Sequence, residues 1–340
     1  MSKIMNIHLD NIIYSLQTMG GISVYWGELT KKLSLMKKDV QILQYQDNKW
    51  CRYSSFKKQL QKADIFHSSY YRISKQKDIV NIITVYDFTY EYYRSGLAKY
   101  IHTYQKMRAI KNSDGIICIS ENTKNDLIKF NPNIDENKIQ TIYLSADESF
   151  ELLESPKDGL KKVFKELIDK KYVLYVGDRS DYKNFDIAVK TTQQIHNCIL
   201  VIVGGGALRD GETKLLQKDY FHYQGISAED LNILYNNAFC LLYPSSYEGF
   251  GIPVLEAMRA GCPVVSTNLS SIPEVAGDAG LLVNNIKVEE FVKEIEKLED
   301  NEFRDKIIAK GLEQSKKFSW DRCFEETFEF YKEVVGKKFS

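Results

Sequence analysis

Two glutamates, Glu248 and Glu256, stand eight residues apart around Gly249-Phe250-Gly251, and the stretch runs on through Ile252 into Pro253. Proline there suits the start of a helix, because its φ is already helical and its missing N–H is one the helix would leave unpaired. A loop therefore hands over to a helix. Gly249 and Gly251 can take backbone angles closed to other residues and let a ligand approach the main chain, while the first helical turn directs unpaired N–H groups outward. That is a place for an anion. With Glu248 on the loop and Glu256 about one turn inside the helix, both carboxylates could accept hydroxyl hydrogen bonds from one molecule, and a phosphate flanked by two sugar rings has matching chemistry. The plain alternative is an ordinary turn into a helix with two solvated glutamates.

This stretch, continued through Arg259-Ala260-Gly261-Cys262-Pro263-Val264-Val265-Ser266 and residues 271–280, resembles the E-x7-E signature of the family 4 glycosyltransferases. These are retaining enzymes that use nucleotide-sugar donors and have the GT-B fold. The resemblance implies that Glu248 binds the hydroxyls of the donor sugar, Glu256 the ribose, and the amides of Phe250, Gly251 and Ile252 the departing diphosphate. It also matches Arg179 and Lys183 to a cation pair that holds this diphosphate. Two cations there would stabilise the charge that develops on the leaving group without a metal. No metal and no cofactor are expected, the nucleotide-diphosphate sugar being the donor substrate. Gly204, at the end of the apolar strand 198–203, would line the nucleotide pocket, and Gly20-Gly21 would sit under the diphosphate from the other domain. The spacing G-x-G-x-x-G is absent at residues 204–206, which argues against a dinucleotide site.

The elements that must position these groups read as alternating strands and helices. Apolar runs at residues 4–9, 40–45, 64–69, 81–88, 115–119 and 139–144 predict one set of strands, and those at 172–177, 198–203, 239–244, 264–266 and 280–283 a second. Strand, glycine loop and helix at residues 4–33 make the opening unit of a doubly wound domain. Residues at the carboxyl ends of parallel strands face the ligand crevice, so His67 and Asp87 are candidate substrate contacts. Each has a structural alternative, for His67 a core position and for Asp87 a cap on the next helix. Where the resembled family often has a histidine before this aspartate, Tyr86 stands, and the linker at Ser145-Ala146-Asp147 matches the family's Asn-Gly-Val-Asp only in part. Ser120 is expected to cap a helix over residues 123–130.

Composition sets the frame. At 340 residues and 44% apolar, the chain is long enough for two domains with proper cores. The 46 basic and 46 acidic residues balance, which argues against a nucleic-acid partner. The balance hides an asymmetry: residues 1–150 hold 21 Lys and Arg against 15 Asp and Glu, leaving 25 against 31 for the rest. Six scattered cysteines without metal-ligand spacing read as reduced thiols. Residues 1–9 are too short and mixed for a signal peptide, and no run approaches eighteen apolar residues, so a cytoplasmic protein is expected.

The fold class expected is α/β, with two Rossmann-like doubly wound domains facing across a cleft as in GT-B: residues 1–155 for the acceptor, 156–322 for the donor, and a helix over 323–340 returning to the first domain. The expected reaction is transfer of a sugar from a nucleotide-diphosphate sugar, GDP-mannose-like or a UDP-sugar, to a glycan hydroxyl in bacterial surface polysaccharide synthesis. A lipid-linked acceptor fits the resemblance. Residues 90–108, dense in tyrosine and carrying Arg94, Lys99, Lys106 and Arg108, suit peripheral contact with an anionic membrane at its inner face, or else form a solvated helix. A nucleotide-sugar binding protein without transferase activity and a glycoside hydrolase using the two glutamates are the rival readings. The hydrolase leaves Arg179, Lys183 and the glycine-rich strand end without a task.

Overall fold

Short apolar runs separated by helix-length segments cannot pair as hairpins, because each crossover puts a helix between strands and leaves them parallel. The computed structural model of the chain describes residues 4–17, 20–36, 39–217 and 220–339 and shows two six-stranded parallel sheets. The first contains β1 (Met5–Asp10), β2 (Val40–Tyr45), β3 (Ile65–Ser68), β4 (Val80–Val85), β5 (Gly115–Cys118) and β6 (Ile139–Thr141) in the order β2-β1-β3-β4-β5-β6. The second contains β7 (Lys171–Val176), β8 (Cys198–Val203), β9 (Tyr220–Tyr223), β10 (Cys240–Tyr243), β11 (Val264–Thr267) and β12 (Gly280–Val283) in the order β12-β11-β10-β7-β8-β9. Buried on both faces, central strands such as β4 and β10 are apolar nearly throughout.

Each sheet reverses its direction of growth once, between β1 and β3 in the first and between β7 and β10 in the second. Loops leaving the carboxyl ends of the two strands at such a reversal diverge to opposite faces, and the crevice they leave is where doubly wound sheets take ligands.

The chain divides into two compact units, Met1–Ser145 with Ser319–Ser340, and Ala146–Phe318. The first boundary thus falls ten residues before the expected 155. The terminal helix runs Trp320–Phe339 and packs on β4 and β5 of the first unit. Its Phe330 ring lies over Gly115, where a Cβ would come within 3.0 Å of it, so glycine at the head of β5 is a packing requirement. Ser120 caps its helix as expected, its Oγ accepting from the Thr123 amide at 3.0 Å, although the helix begins two residues early, at Glu121.

Candidate functional site

The reversal of the second sheet sets the loop after β7 beside the loop after β10. Asn184, held in the left-handed region at φ 50°, ties the two together: its Nδ2 donates to the Pro244 carbonyl and to Ser246 Oγ, both at 2.8 Å. The Ser246 amide answers with a bond to the Tyr182 carbonyl at 2.7 Å. This stitching brings Lys183 and Glu248 into an ion pair of 2.5 Å, with Lys183 Nζ also 3.1 Å from the Tyr243 hydroxyl. Burial alone would lower the Lys183 pKa, but the Glu248 carboxylate, helped by Tyr182, outweighs it and holds the ammonium above the ordinary lysine value. Glu248 is fixed from behind as well: its amide donates to Ser270 Oγ at 2.7 Å, and its carbonyl accepts from Ser270 and Ser271 at 2.7 and 2.9 Å. A carboxylate so placed is oriented and matched by one cation.

Next to it, β8 ends in Gly204, Gly205 and Gly206, all in the left-handed region at φ 87°, 76° and 71°. Successive residues there are ruinous for side chains but open to glycine. Arg179 holds this turn. Its guanidinium donates to the carbonyls of Gly204 (2.9 Å), Gly206 (3.0 Å) and Ala207 (2.8 Å), and its Nε to Glu212 at 3.1 Å. A Cβ on Gly205 would stand inside contact distance of the guanidinium and 3.0 Å from the Gly177 carbonyl. Arg209 completes the arrangement by bonding both Glu212 and the Arg179 carbonyl. Arg179, expected to hold the diphosphate together with Lys183, is 5% exposed and spends four of its five N–H donors on the turn it shapes and on Glu212.

Gly251, at φ 97°, caps the helix Ile252–Arg259, with Pro253 in its first turn. Phe250 is buried against Phe318, ring centroids 5.8 Å apart, so this turn is anchored by its aromatic side chain. Glu256 accepts from the Tyr235 hydroxyl at 3.0 Å. Burial pushes its carboxyl up to about 7; the Tyr235 bond opposes this and Asp147 adds to it. The two glutamates therefore differ, one beside a buried cation and the other beside a phenol.

In the first unit, Gly20 (φ 144°) caps the helix that begins at Gly21. His67 is a correction. It is wholly buried, T-stacked on Trp26 at 4.9 Å, and both ring nitrogens are engaged, Nδ1 with the Tyr331 hydroxyl at 2.5 Å and Nε2 with Thr84 Oγ1 at 3.0 Å. Desolvation lowers its pKa to about 3, so it stays neutral. The ring braces the core and offers nothing to a ligand. Asp87 takes a structural place of a slightly different kind from the cap expected: Phe88 is the capping residue of the helix Thr89–Tyr93, and Asp87 closes the turn before it, accepting from the Thr89 amide at 2.9 Å while its carbonyl receives Lys106 Nζ at 2.8 Å. Lys106, expected as a surface cation, is 0% exposed and paired with Glu91 at 2.7 Å over the Phe88 ring. Arg108 donates to Ser55 and Lys99 to the Glu91 carbonyl, which leaves Arg94 as the fully exposed member of the four.

Glu212, Arg209, Asn184, Tyr243 and Ser270 were missed. Asn184 is next in sequence to Lys183 and Tyr243 ends the strand that leads to the Glu248 loop; for Glu212 and Ser270 the one signal is proximity to the glycine turn and to the 271–280 run.

A doubly wound pair of sheets with charged groups gathered at a switch point is the architecture of GT-B glycosyltransferases, and solved structures agree. Sucrose-phosphate synthase from Thermosynechococcus elongatus matches with a TM-score of 0.78 at 16% identity, covering 98% of this chain and 100% of that one. Anabaena HepE in complex with UDP-glucose matches at 0.72 and 13% identity, covering 97% and 100%. Residues 158–314 match the model of glycosyl transferases group 1, and residues 47–150 that of glycosyltransferase family 4. The chain thus carries glycosyl transferases group 1 and glycosyltransferase family 4 domains, which together span most of its length. Among curated relatives, O-antigen chain mannosyltransferase B of Escherichia coli is 33% identical over 230 residues, 64% of this chain and 60% of that protein. O-antigen chain mannosyltransferase RfbU of Salmonella typhimurium is 31% identical over 229 residues, 64% and 61%. The matches span about three fifths of these relatives' length.

Proposed function

We propose that the chain transfers a sugar, with retention, from a nucleoside diphosphate sugar to a hydroxyl of a glycan acceptor in bacterial surface polysaccharide synthesis. The observation that carries this is the Lys183–Glu248 pair at the β7–β10 switch point, 2.5 Å apart and framed by the Arg179-shaped glycine turn. A donor's hydroxyls replace part of the Lys183 contact on Glu248, and the freed ammonium turns to the diphosphate. Charge that builds on the leaving phosphate then meets a cation and the amides opening the helix at Gly251 and Ile252, a preorganised site that needs little rearrangement. Glu256, its carboxyl raised to about 7 and so about half protonated at pH 7, can donate to as well as accept from a ribose hydroxyl. The cations supply the stabilisation that a divalent metal would otherwise bring, so turnover is expected to survive EDTA. The mannosyltransferase relatives favour mannose as the sugar and a GDP-sugar as the donor; HepE, with UDP-glucose, keeps the uridine donor in the test.

The test is incubation with radiolabelled GDP-mannose and, separately, UDP-glucose, with lipid-linked and free oligosaccharide acceptors, followed by NMR of the product linkage. An α-linked product from an α-linked donor, formed in EDTA, is expected. Free sugar alone, an inverted linkage, or complete dependence on added Mn²⁺ overturns the mechanism.

The acceptor side includes peripheral contact with a membrane, carried by a surface that differs from the expected one. Along the helix Gly96–Asn112, Leu97, Tyr100, Ile101 and Tyr104 recur at helical spacing with exposures of 74, 72, 39 and 69%. An apolar stripe of this kind lies well at a headgroup boundary, and Arg94 at its start adds attraction to anionic lipid. No helix among the described residues is long and apolar enough to cross a membrane.

A further inference from the structure

Between β2 and β3 the chain passes through residues 53–59, and between β3 and β4 through residues 74–76, the two segments joined by a parallel bridge from Phe56 to Ser74. With Arg108 they line an open cavity of about 710 Å³ in the first unit. That is within the roughly 300–1,000 Å³ range of small-molecule sites.

Its lining is one-sided. Lys57, Lys58, Lys75 and Arg108 all border the cavity, and no aspartate or glutamate does, in a chain whose charges otherwise cancel. Lys58 is paired with Asp47 at 3.0 Å. Among the described residues, no carboxylate lies within ion-pair distance of Lys57, Lys75 or Arg108. The Arg108 guanidinium is also aimed, since it donates to the buried Ser55 hydroxyl. Three cations turned into one concavity without counter-charge repel one another and concentrate a field that an anion relieves.

The remaining lining narrows the anion's class. Tyr53, 42% exposed, forms one wall, and Trp50, 67% exposed, continues from it with ring centroids 6.4 Å apart. Exposed rings next to the hydroxyl and amide of Ser54 and Gln59 suit a pyranose, whose faces are apolar and whose rim is polar. The Lys49 ammonium stands 5.4 Å from the Trp50 centroid and the Arg52 guanidinium 4.6 Å from that of Tyr53, so the shelf itself carries positive charge that an anionic ligand would meet.

We propose that this cavity binds an anionic saccharide, a sugar bearing carboxylate or phosphate groups, with Lys57, Lys75 and Arg108 on the charge and the Tyr53–Trp50 shelf under the ring. This is a second carbohydrate site, built from other residues than the β7–β10 loops and independent of the reaction assigned to them.

The shelf supplies its own reporter. Of the three tryptophans, Trp26 and Trp320 are 0% and 5% exposed, so a change in water-exposed emission reports Trp50. The full chain is titrated with a glucuronate-containing tetrasaccharide, a mannose 6-phosphate-bearing oligosaccharide, uncharged mannotetraose and inorganic phosphate. A saturable, salt-sensitive change is expected with at least one charged saccharide, the two arms telling carboxylate from phosphate, and none with mannotetraose. The combined Lys57→Gln, Lys75→Gln and Arg108→Gln variant should weaken it about tenfold, three exposed charge contacts together amounting to roughly one decade of affinity. Lys183→Ala should leave it intact, which separates this site from the donor loops. The proposal is overturned by no response to either charged saccharide, an equal response to mannotetraose, tighter binding of inorganic phosphate than of the saccharides, or a charge-deleted variant that binds like the parent chain while melting at the same temperature.

Discussion

The switch points of the two sheets carry similar residue types and use them differently. After β7 and β10, Lys183 and Glu248 meet with side chains 10 and 11% exposed, on loops held by Asn184 and Ser270. After β1 and β3, Asp10 and Arg72 also meet, at 3.0 Å, but with side chains 0 and 2% exposed, and Ser68 fills the remaining position on the carboxylate at 2.8 Å. One pair can exchange its partner for a ligand; the other is closed into the core. The difference teaches that a charged residue at a strand's carboxyl end marks a crevice, and that the number of bonds already made there decides whether it acts on a ligand or on the fold.

The sharpest way to break this contrast is Arg72→Ala. Removing one partner of a buried pair leaves an uncompensated charge, and about 3–5 kcal/mol of stability should go. Burial, opposed by Arg72, already raises the Asp10 pKa to about 6. A raised carboxyl pKa means the folded state keeps a proton that the unfolded chain has released, so this group's contribution falls as pH climbs through 6. Arg72 holds that pKa down, so in Arg72→Ala it rises further, and the loss should be larger at pH 8, where the carboxyl must ionise unpaired or keep its proton at a cost, than at pH 5 in urea titrations. An unchanged midpoint would mean that the pair is not structural.

Glu248→Gln should do the reverse, cutting turnover by about 10²-fold or more with little change in melting temperature. A variant of near-normal rate would remove Glu248 from the chemistry. Gly205→Ala sits between the two cases, because its backbone strain and its clash with Arg179 fall on the site itself. A cost of about 1–3 kcal/mol is expected, together with weaker nucleoside diphosphate binding in calorimetry. Loss of stability with unaltered affinity would detach the glycine turn from the donor. The smallest effect concerns the outer face of the first unit: Leu97→Ser with Tyr104→Ser should weaken binding to anionic vesicles by about 1 kcal/mol per side chain, a fraction of full apolar burial. Binding that depends on Lys106 instead would restore the electrostatic reading.

Much of the second unit was legible because its site is written locally. Glu248, Gly251 and Glu256 fall within nine residues, and Arg179 and Lys183 on one loop, so short runs of sequence could carry the family resemblance that singled them out. His67 was not legible, because its fate is set by Tyr331, 264 residues away in sequence. A strand end gives the direction of a backbone, not whether another element covers it. Lys106 shows the same limit within a helix: its neighbours read as a basic surface, while Glu91 and the Phe88 ring draw it inside. For Arg179 the sequence pointed to the loop but not to its partners within the fold, because Glu212 and the Gly204 and Gly206 carbonyls are set by how β8 turns after its last apolar residue.

The helix Trp320–Phe339 has a consequence for how the protein is made. It lies on β4 and β5, supplies Tyr331 to His67 and Phe330 to Gly115, and so finishes the core of the unit that is translated first. That unit must wait on the ribosome for residues more than 170 positions downstream, with its β4–β5 face uncovered. The intervening unit, contiguous from Ala146 to Phe318, can close as soon as it emerges. Synthesis therefore reverses the usual order of domains folding from the N-terminus, and a ribosome stalled near residue 318 would carry a finished second unit behind an unfinished first.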